Sequence, residues 1–94
     1  MAVSTVNLLP LRASAADPGF VMPMRRFGKT GVEVSQLGLG GWHIGIQKER
    51  AESIRLIHLA MDHGVNFLDN SIDYNDGQSE LRMGDALKGR RDKA

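Results

Sequence analysis

The sequence predicts an α/β fold in which a β-hairpin is followed by two βα units of a parallel sheet. Residues 25–37 read as two short strands, the second with alternating apolar residues, around a glycine-containing turn, which is the pattern of a hairpin. An amphipathic period covers residues 49–63, and a short apolar run at 65–68 precedes a second helical segment. Strands that alternate with helices in this way indicate a parallel, βα-repeating architecture.

The composition is ordinary for a globular domain and excludes several functions. Of the 94 residues, 41% are hydrophobic and 24% are charged. The formal net charge is only +1, so we expect no nucleic-acid partner. No apolar run approaches the roughly 18 residues of a membrane span, so we expect no membrane partner. The chain has no cysteine, which excludes disulfides, thiolate zinc sites and cysteine nucleophiles.

Residues 1–22 differ from the rest of the sequence. They include one base and one acid and show neither a helical nor a strand period. Residues 13–15 follow an apolar run and faintly resemble a signal-peptide cleavage site, but no Lys or Arg precedes that run, and Asn7 and Pro10 interrupt it. We therefore favour a disordered leader, or a start codon upstream of the working one, and assign the folded part to residues 23–94.

The predicted hairpin leads into a glycine-rich segment that can approach a ligand closely. Its strands cover residues 25–27 and 32–37, and the second strand runs into residues 38–41, where three glycines lack Cβ atoms. A Rossmann dinucleotide loop is disfavoured, because His43 stands where the third glycine belongs. The next predicted helix also begins several residues too late for that loop.

The clearest helix is predicted over Glu49–His63. Apolar residues such as Ile57 lie on one side of the helical wheel, whereas polar residues, including His58, lie on the other. Gly64 ends the helix, because glycine readily adopts the left-handed conformation. His58 and His63 point to different sides of the helix, so they cannot share a metal, and we expect both at the surface.

The second βα unit begins with a buried strand at residues 65–68 that ends at Asp69. Ser79 is a suitable N-cap for a helix that continues to about Lys88. The intervening Asp73–Gly77 segment resembles a calcium-binding loop, but its glycine comes one position early and the bidentate glutamate is missing. A turn is the simpler interpretation, and we expect no metal site.

Asp69 and Tyr74 are the strongest candidates for catalysis. Active sites of parallel α/β proteins gather at the carboxyl ends of strands. A phenol has an ordinary pKa of about 10, so it needs a neighbouring cation to act as an acid at neutral pH, and a carboxylate would hold that cation. An N-capping aspartate and a loop aromatic also explain the pair without any catalysis.

The residues around this pair resemble the aldo-keto reductase family. The stretch from Arg26 to Gly40, with its Phe-Gly-Lys-Thr-Gly turn, is similar to the family's opening hairpin and first strand. The stretch from Asn66 to Lys93 is similar to its second strand, catalytic loop and second helix. Several spaced elements over about residues 24–94 agree at once, which makes the resemblance specific.

This resemblance implies an α/β fold of the (β/α)₈ TIM-barrel type. The chain would hold the bottom hairpin and the first two βα units, which is incomplete as a standalone domain. The resemblance also implies that a small-molecule carbonyl substrate is reduced with NADPH in the cytoplasm. Tyr74 would be the general acid that protonates the carbonyl oxygen, and Asp69 would pair with a catalytic lysine. Gly41, Trp42 and Asp69 would lie at the nicotinamide end of the cofactor.

The sequence departs from the family pattern at Asn70, where the family usually has Thr. The family's catalytic lysine and histidine belong to later strands, and neither Lys93 nor His43 can replace them. We therefore expect the N-terminal part of a reductase, inactive by itself. Two alternatives stay open: a non-catalytic barrel that binds cofactor and regulates a partner, and a degenerate small interaction module. No motif indicates an oligomeric state.

Overall fold

The computed structural model describes residues 19–94. Within them the elements are, in chain order, β1 (Met24–Arg26), β2 (Glu33–Ser35), β3 (Leu39–Gly40), α1 (Trp42–Gly45), α2 (Arg50–Asp62), β4 (Leu68–Asp69) and α3 (Gln78–Ala86), with a left-handed turn at Tyr74–Gly77 and a 3₁₀ turn at Arg91–Lys93. None of the helices in this part of the chain is long and apolar enough to cross a bilayer.

The predicted leader lies mostly outside the described residues, which begin at Gly19. Met22, which we grouped with the leader, is buried. It covers Gly64, where an added Cβ would lie 2.7 Å from the Cβ of Met22. Met22 therefore belongs to the packed part of the chain.

The strands β1 and β2 pair antiparallel, as the hairpin pattern predicts. The turn between them is closed by Thr30, whose Oγ1 donates a hydrogen bond to the carbonyl oxygen of Phe27 at 2.7 Å. Gly28 has a φ of +58° in this turn, a conformation that glycine adopts without strain. The side chain of Asn66 joins the hairpin to the rest of the fold, because its Oδ1 accepts a hydrogen bond from the Ser35 amide at 2.7 Å.

The strands β3 and β4 form a separate parallel pair, which confirms the predicted βα connection. Gly40 pairs with Asp69, so the carboxyl ends of the two strands lie side by side. β4 is shorter than the predicted run. Val65 is buried, but Phe67 is 42% exposed, so the expectation of a strand buried throughout is wrong at Phe67.

The helix α2 confirms the prediction of an amphipathic helix ended by glycine. Glu49 precedes its first residue, and Gly64 follows its C-terminal end with a φ of +100°. Ile57 is fully buried on the apolar side, whereas Leu59 is exposed. The helix is therefore held by packing of one face against its neighbours.

His58 differs from the surface position we expected. The His58 ring is half-buried, and its Nε2 donates a hydrogen bond to the carbonyl oxygen of Ala86 in α3 at 2.8 Å. His58 thus links two helices, which the helical wheel of α2 alone did not indicate. In residues 19–94, no group of three or more His, Asp or Glu side chains could hold a metal ion.

The start of α3 corrects one predicted cap. The helix begins at Gln78, and the residue before it is Gly77, which has a left-handed φ of +86°. Ser79 therefore lies inside the first turn, where it is fully buried. Its Oγ donates a hydrogen bond to the carbonyl oxygen of Gly41 at 2.8 Å, so this hydroxyl serves another segment and not its own helix.

The core lies where the three helices meet. Its buried members are Ile44, Ile57, Met83, Ala86 and Leu87. The helix α1 was not predicted, and our expectation of a later helix start is wrong, because Trp42 begins a helical turn directly after Gly41. Burial of Ile44 in the core stabilises this four-residue turn, which is too short to be stable by propensity alone.

Arg82 on α3 connects the segment after α1 to α2 through hydrogen bonds. Its Nη1 donates hydrogen bonds to the Gln47 carbonyl oxygen at 2.7 Å and to Ser53 Oγ at 2.8 Å. Ser53 Oγ in turn donates to the carbonyl oxygen of Ile44 at 2.5 Å. Because carbonyl groups without a helical partner need donors when they are buried, these bonds fix the segment that follows β3.

Candidate active site

An open cleft of about 420 Å³ lies at the carboxyl ends of β3 and β4. One side is formed by the segment from Gly40 to Ile44, and the other by Asp69 and Tyr74. The four residues that the sequence singled out, Gly41, Trp42, Asp69 and Tyr74, all line this cleft. The parallel pairing of Gly40 with Asp69 brings the two sides together.

Gly41 stands at a position where a side chain would fit only if Asn70 moved. It is buried, and an added Cβ would lie 2.5 Å from the side chain of Asn70. Asn70 cannot easily move aside, because its Oδ1 accepts a hydrogen bond from the Ser71 amide at 2.8 Å and its Nδ2 lies 3.4 Å from Met83 Sδ. Gly41 therefore lets the loop after β4 approach the end of β3.

Trp42 gives the cleft a flat apolar wall. It is the only tryptophan of the sequence, and 46% of it is exposed. The ring of His43 stands edge-on to it, with the centroids 4.9 Å apart and an interplanar angle of 81°. A flat aromatic ligand could contact the indole that faces the cleft.

Asp69 and Tyr74 present polar groups that are open to a ligand. Asp69 ends β4 and is exposed, whereas Tyr74 is half-buried. Within residues 19–94, neither the carboxylate of Asp69 nor the hydroxyl of Tyr74 has a hydrogen-bond or ion-pair partner. The position of Tyr74 is fixed through its backbone, whose amide donates to the Ser71 carbonyl oxygen at 3.1 Å.

The chain turns sharply directly after Tyr74. Asn75, Asp76 and Gly77 all have left-handed backbones, with φ of 54°, 55° and 86°. The Nδ2 group of Asn75 donates to the Trp42 carbonyl oxygen at 2.8 Å and to Ser79 Oγ at 3.1 Å. The sequence analysis assigned neither Asn75 nor Ser79 to this site, and it predicted Ser79 only as a helix N-cap. Asparagine next to Asp-Gly was the available signal, because Asn and Asp enter the left-handed region more readily than other non-glycine residues.

Comparisons with known proteins agree on one family. The model of the "Aldo/keto reductase family" matches residues 36–94. The chain is 41% identical over 70 residues to aldo-keto reductase AFTS1 of Alternaria alternata, which covers 68% of this chain and 19% of that protein. It is 38% identical over 68 residues to a probable voltage-gated potassium channel subunit beta of Arabidopsis thaliana, which covers 71% of this chain and 21% of that protein.

A solved structure gives the same result. The holo form of aldo-keto reductase AKR11C1 from Bacillus halodurans matches with a TM-score of 0.69 and 33% identity, covering 78% of this chain and 24% of that one. Such neighbours are (β/α)₈ barrels, so the predicted fold class is confirmed; the described residues themselves contain no closed barrel. The chain spans about a fifth of the length of the curated relatives it matches.

Proposed function

Because the chain belongs to the aldo/keto reductase family, we propose that it supplies the catalytic loop of an NADPH-dependent carbonyl reductase. The observation that carries this proposal is the cleft itself. It combines an open carboxylate, an open phenol, an indole and a glycine-rich backbone at the ends of two parallel strands. Chemistry in barrels of this kind belongs to that end of the strands.

In this proposal the cleft receives the nicotinamide end of the cofactor. A nicotinamide ring is flat, and the indole of Trp42 offers a matching surface. Gly40 leaves open space, since an added Cβ there would meet no atom within 4 Å. A volume of about 420 Å³ suits a ring with a small carbonyl substrate. We assign Gly41, Trp42 and Asp69 to this end of the cofactor. On family grounds alone, we also propose that the protein is located in the cytoplasm.

Tyr74 is the proton donor in this proposal. When bound, NADPH supplies the hydride that adds to the carbonyl carbon. The Oη atom of Tyr74 gives its proton to the carbonyl oxygen, so that the product is an alcohol. The Tyr74 hydroxyl is suited to this role because it makes no hydrogen bond to any other group within residues 19–94.

Asp69 has a supporting role. A phenol gives up its proton near neutral pH only where a cation stabilises the phenolate. We assign to Asp69 the task of holding that cation in contact with Tyr74. Within residues 19–94 no cation pairs with Asp69, so we expect the 94-residue chain, assayed by itself, to show no turnover.

The test is a chimera in which residues 24–94 replace the matching segment of the Bacillus halodurans reductase. We expect the chimera to oxidise NADPH only when an aldehyde or ketone is added. The parent enzyme is the positive control, and the 94-residue chain alone is the negative control. A folded chimera that binds the cofactor but reduces none of a broad set of carbonyl compounds would contradict the proposal.

A second candidate function is that of an accessory subunit that binds cofactor and regulates a partner protein. The observation that favours it is the 38% identity to a protein named as a probable potassium channel subunit beta. The same chimera separates the two candidates. Turnover that depends on this chain's own tyrosine supports the reductase, whereas cofactor binding without turnover supports the accessory subunit.

A further inference from the structure

We propose that Asn75 and Ser79 are positioning residues that clamp the Tyr74 loop onto the Trp42 segment. The clamp consists of the hydrogen bonds between these two side chains and from them to the backbone of Gly41 and Trp42, where the chain passes from β3 into α1. Its role in catalysis rests on the proposed function of Tyr74, but its existence can be measured without turnover.

The clamp is built from three hydrogen bonds, two of which cross between the two sides of the cleft, while the third joins Asn75 to Ser79. Asn75 Nδ2 donates to the Trp42 carbonyl oxygen at 2.8 Å and to Ser79 Oγ at 3.1 Å. Ser79 Oγ then donates to the Gly41 carbonyl oxygen at 2.8 Å. Ser79 is fully buried, and buried hydrogen bonds of this kind are costly to leave unmade. These bonds therefore tie the two sides of the cleft together.

The left-handed turn gives an independent reason to assign Asn75 a role. A non-glycine residue with positive φ is uncommon and persists where surrounding contacts stabilise it. Asn75 and its neighbour Asp76 have nearly the same φ, 54° and 55°. Asn75 makes the contacts just described, whereas Asp76 is exposed and has no side-chain partner within residues 19–94. The contacts of Asn75 therefore hold the turn that follows Tyr74.

Close packing makes the clamp rigid. A Cβ added at Gly45, the last residue of α1, would collide with the Ser79 hydroxyl and the Asn75 amide. The helical turn that begins at Trp42 thus rests directly on the two clamp side chains. Movement of one side of the cleft relative to the other would break these contacts.

Such rigidity matters for proton transfer. A general acid must lie within about 3 Å of the atom that it protonates, and a misplacement of about 1 Å can cost about 100-fold in rate. Asn75 is the residue directly after Tyr74, and its side chain donates a hydrogen bond to the backbone carbonyl oxygen of Trp42. The clamp therefore sets the separation between the acid and the wall of the cleft.

The experiment uses the full 94-residue chain, in which Trp42 is the only tryptophan and Tyr74 the only tyrosine. Quenching of Trp42 fluorescence by acrylamide measures how accessible the indole is, and so how far its segment has opened. Energy transfer from Tyr74 to Trp42 reports on the separation of the two sides. The variants are Asn75→Gly and Ser79→Ala, and the matched control is Asp76→Gly. The control also replaces a left-handed residue by glycine but removes no contact. Far-UV circular dichroism monitors helix content in each.

Losing one ordinary hydrogen bond shifts an equilibrium about five-fold. Each variant removes one of the two hydrogen bonds that reach the backbone of Gly41 or Trp42. We therefore expect Asn75→Gly and Ser79→Ala each to raise the ratio of open to clamped segment by at least about five-fold, with more quenching and less energy transfer at unchanged helix content. Asp76→Gly should match the unmodified chain. If Asn75→Gly loses helix content, the fluorescence of Ser79→Ala alone tests the clamp.

Two results would overturn the clamp. One is equal quenching in Ser79→Ala, Asp76→Gly and the unmodified chain. The other is an unmodified chain in which Trp42 is already as accessible as free tryptophan. If Asn75 and Ser79 served only the stability of the fold, their substitution would lower the unfolding temperature without changing the fluorescence of the folded chain. Because no step needs NADPH or a carbonyl compound, failure here is distinguishable from failure of the proposed reductase function.

Discussion

At the scale of single residues, two adjacent glycines at the end of β3 have opposite surroundings. An added Cβ at Gly41 would lie 2.5 Å from the carboxamide of Asn70, whereas one at Gly40 would meet nothing within 4 Å. Gly40 and Gly41 both line the cleft. One glycine is therefore needed for packing, and the other leaves room for a ligand.

The pair of substitutions Gly41→Ala and Gly40→Ala tests this assignment. We expect Gly41→Ala to cost about 1–3 kcal/mol of unfolding free energy, because Asn70 must leave its hydrogen bonds to admit the methyl group. Gly40→Ala should leave stability within about 0.5 kcal/mol. Urea unfolding followed by circular dichroism measures both. Equal stability of the two variants would show that Asn70 moves aside without cost.

At the scale of the elements, α2 is held by one buried face. Ile57 is fully buried in the helical core, whereas Leu59 on the same helix is 38% exposed. We expect Ile57→Ala to lower the unfolding free energy by about 2–5 kcal/mol, and Leu59→Ala to change it by less than about 1 kcal/mol. Urea midpoints of the two variants check this, and a similar loss at both positions would contradict the packing described for α2.

The elements also show what the sequence could and could not predict. The hairpin, the α2 helix and the parallel placement of Asp69 follow from apolar periodicity and glycine stops, which are local signals. The helix α1 was missed because Ile44 is stabilised by the distant side chains of α2 and α3. Ser79 was assigned to its own helix cap, whereas its hydroxyl bonds to Gly41, 38 residues away. Contacts between residues that are so far apart in the chain leave no local pattern in the sequence.

At the scale of the whole molecule, many large apolar side chains of the described residues remain exposed. Those on the strands and loops include Phe27, Val32, Leu37, Phe67 and Ile72. The buried core cluster of these residues is small, with five members. Extended exposed apolar surface usually marks a face that another part of a protein covers.

This exposure predicts how the 94-residue chain behaves in solution. We expect it to bind a hydrophobic dye such as ANS while its helices remain formed, because the apolar faces are accessible without unfolding. The chimera, in which the remaining βα units surround the same segment, should bind much less dye at equal concentration. A chain that binds no more dye than the chimera at equal concentration would contradict this expectation.

The central claim, that Tyr74 protonates the substrate carbonyl, is tested most directly by Tyr74→Phe in the chimera. The substitution removes one hydroxyl that has no partner within residues 19–94, so folding and cofactor affinity should not change. We expect the rate of NADPH oxidation with a saturating carbonyl substrate to fall by about 10²- to 10⁴-fold. An unchanged rate in Tyr74→Phe would contradict the claim.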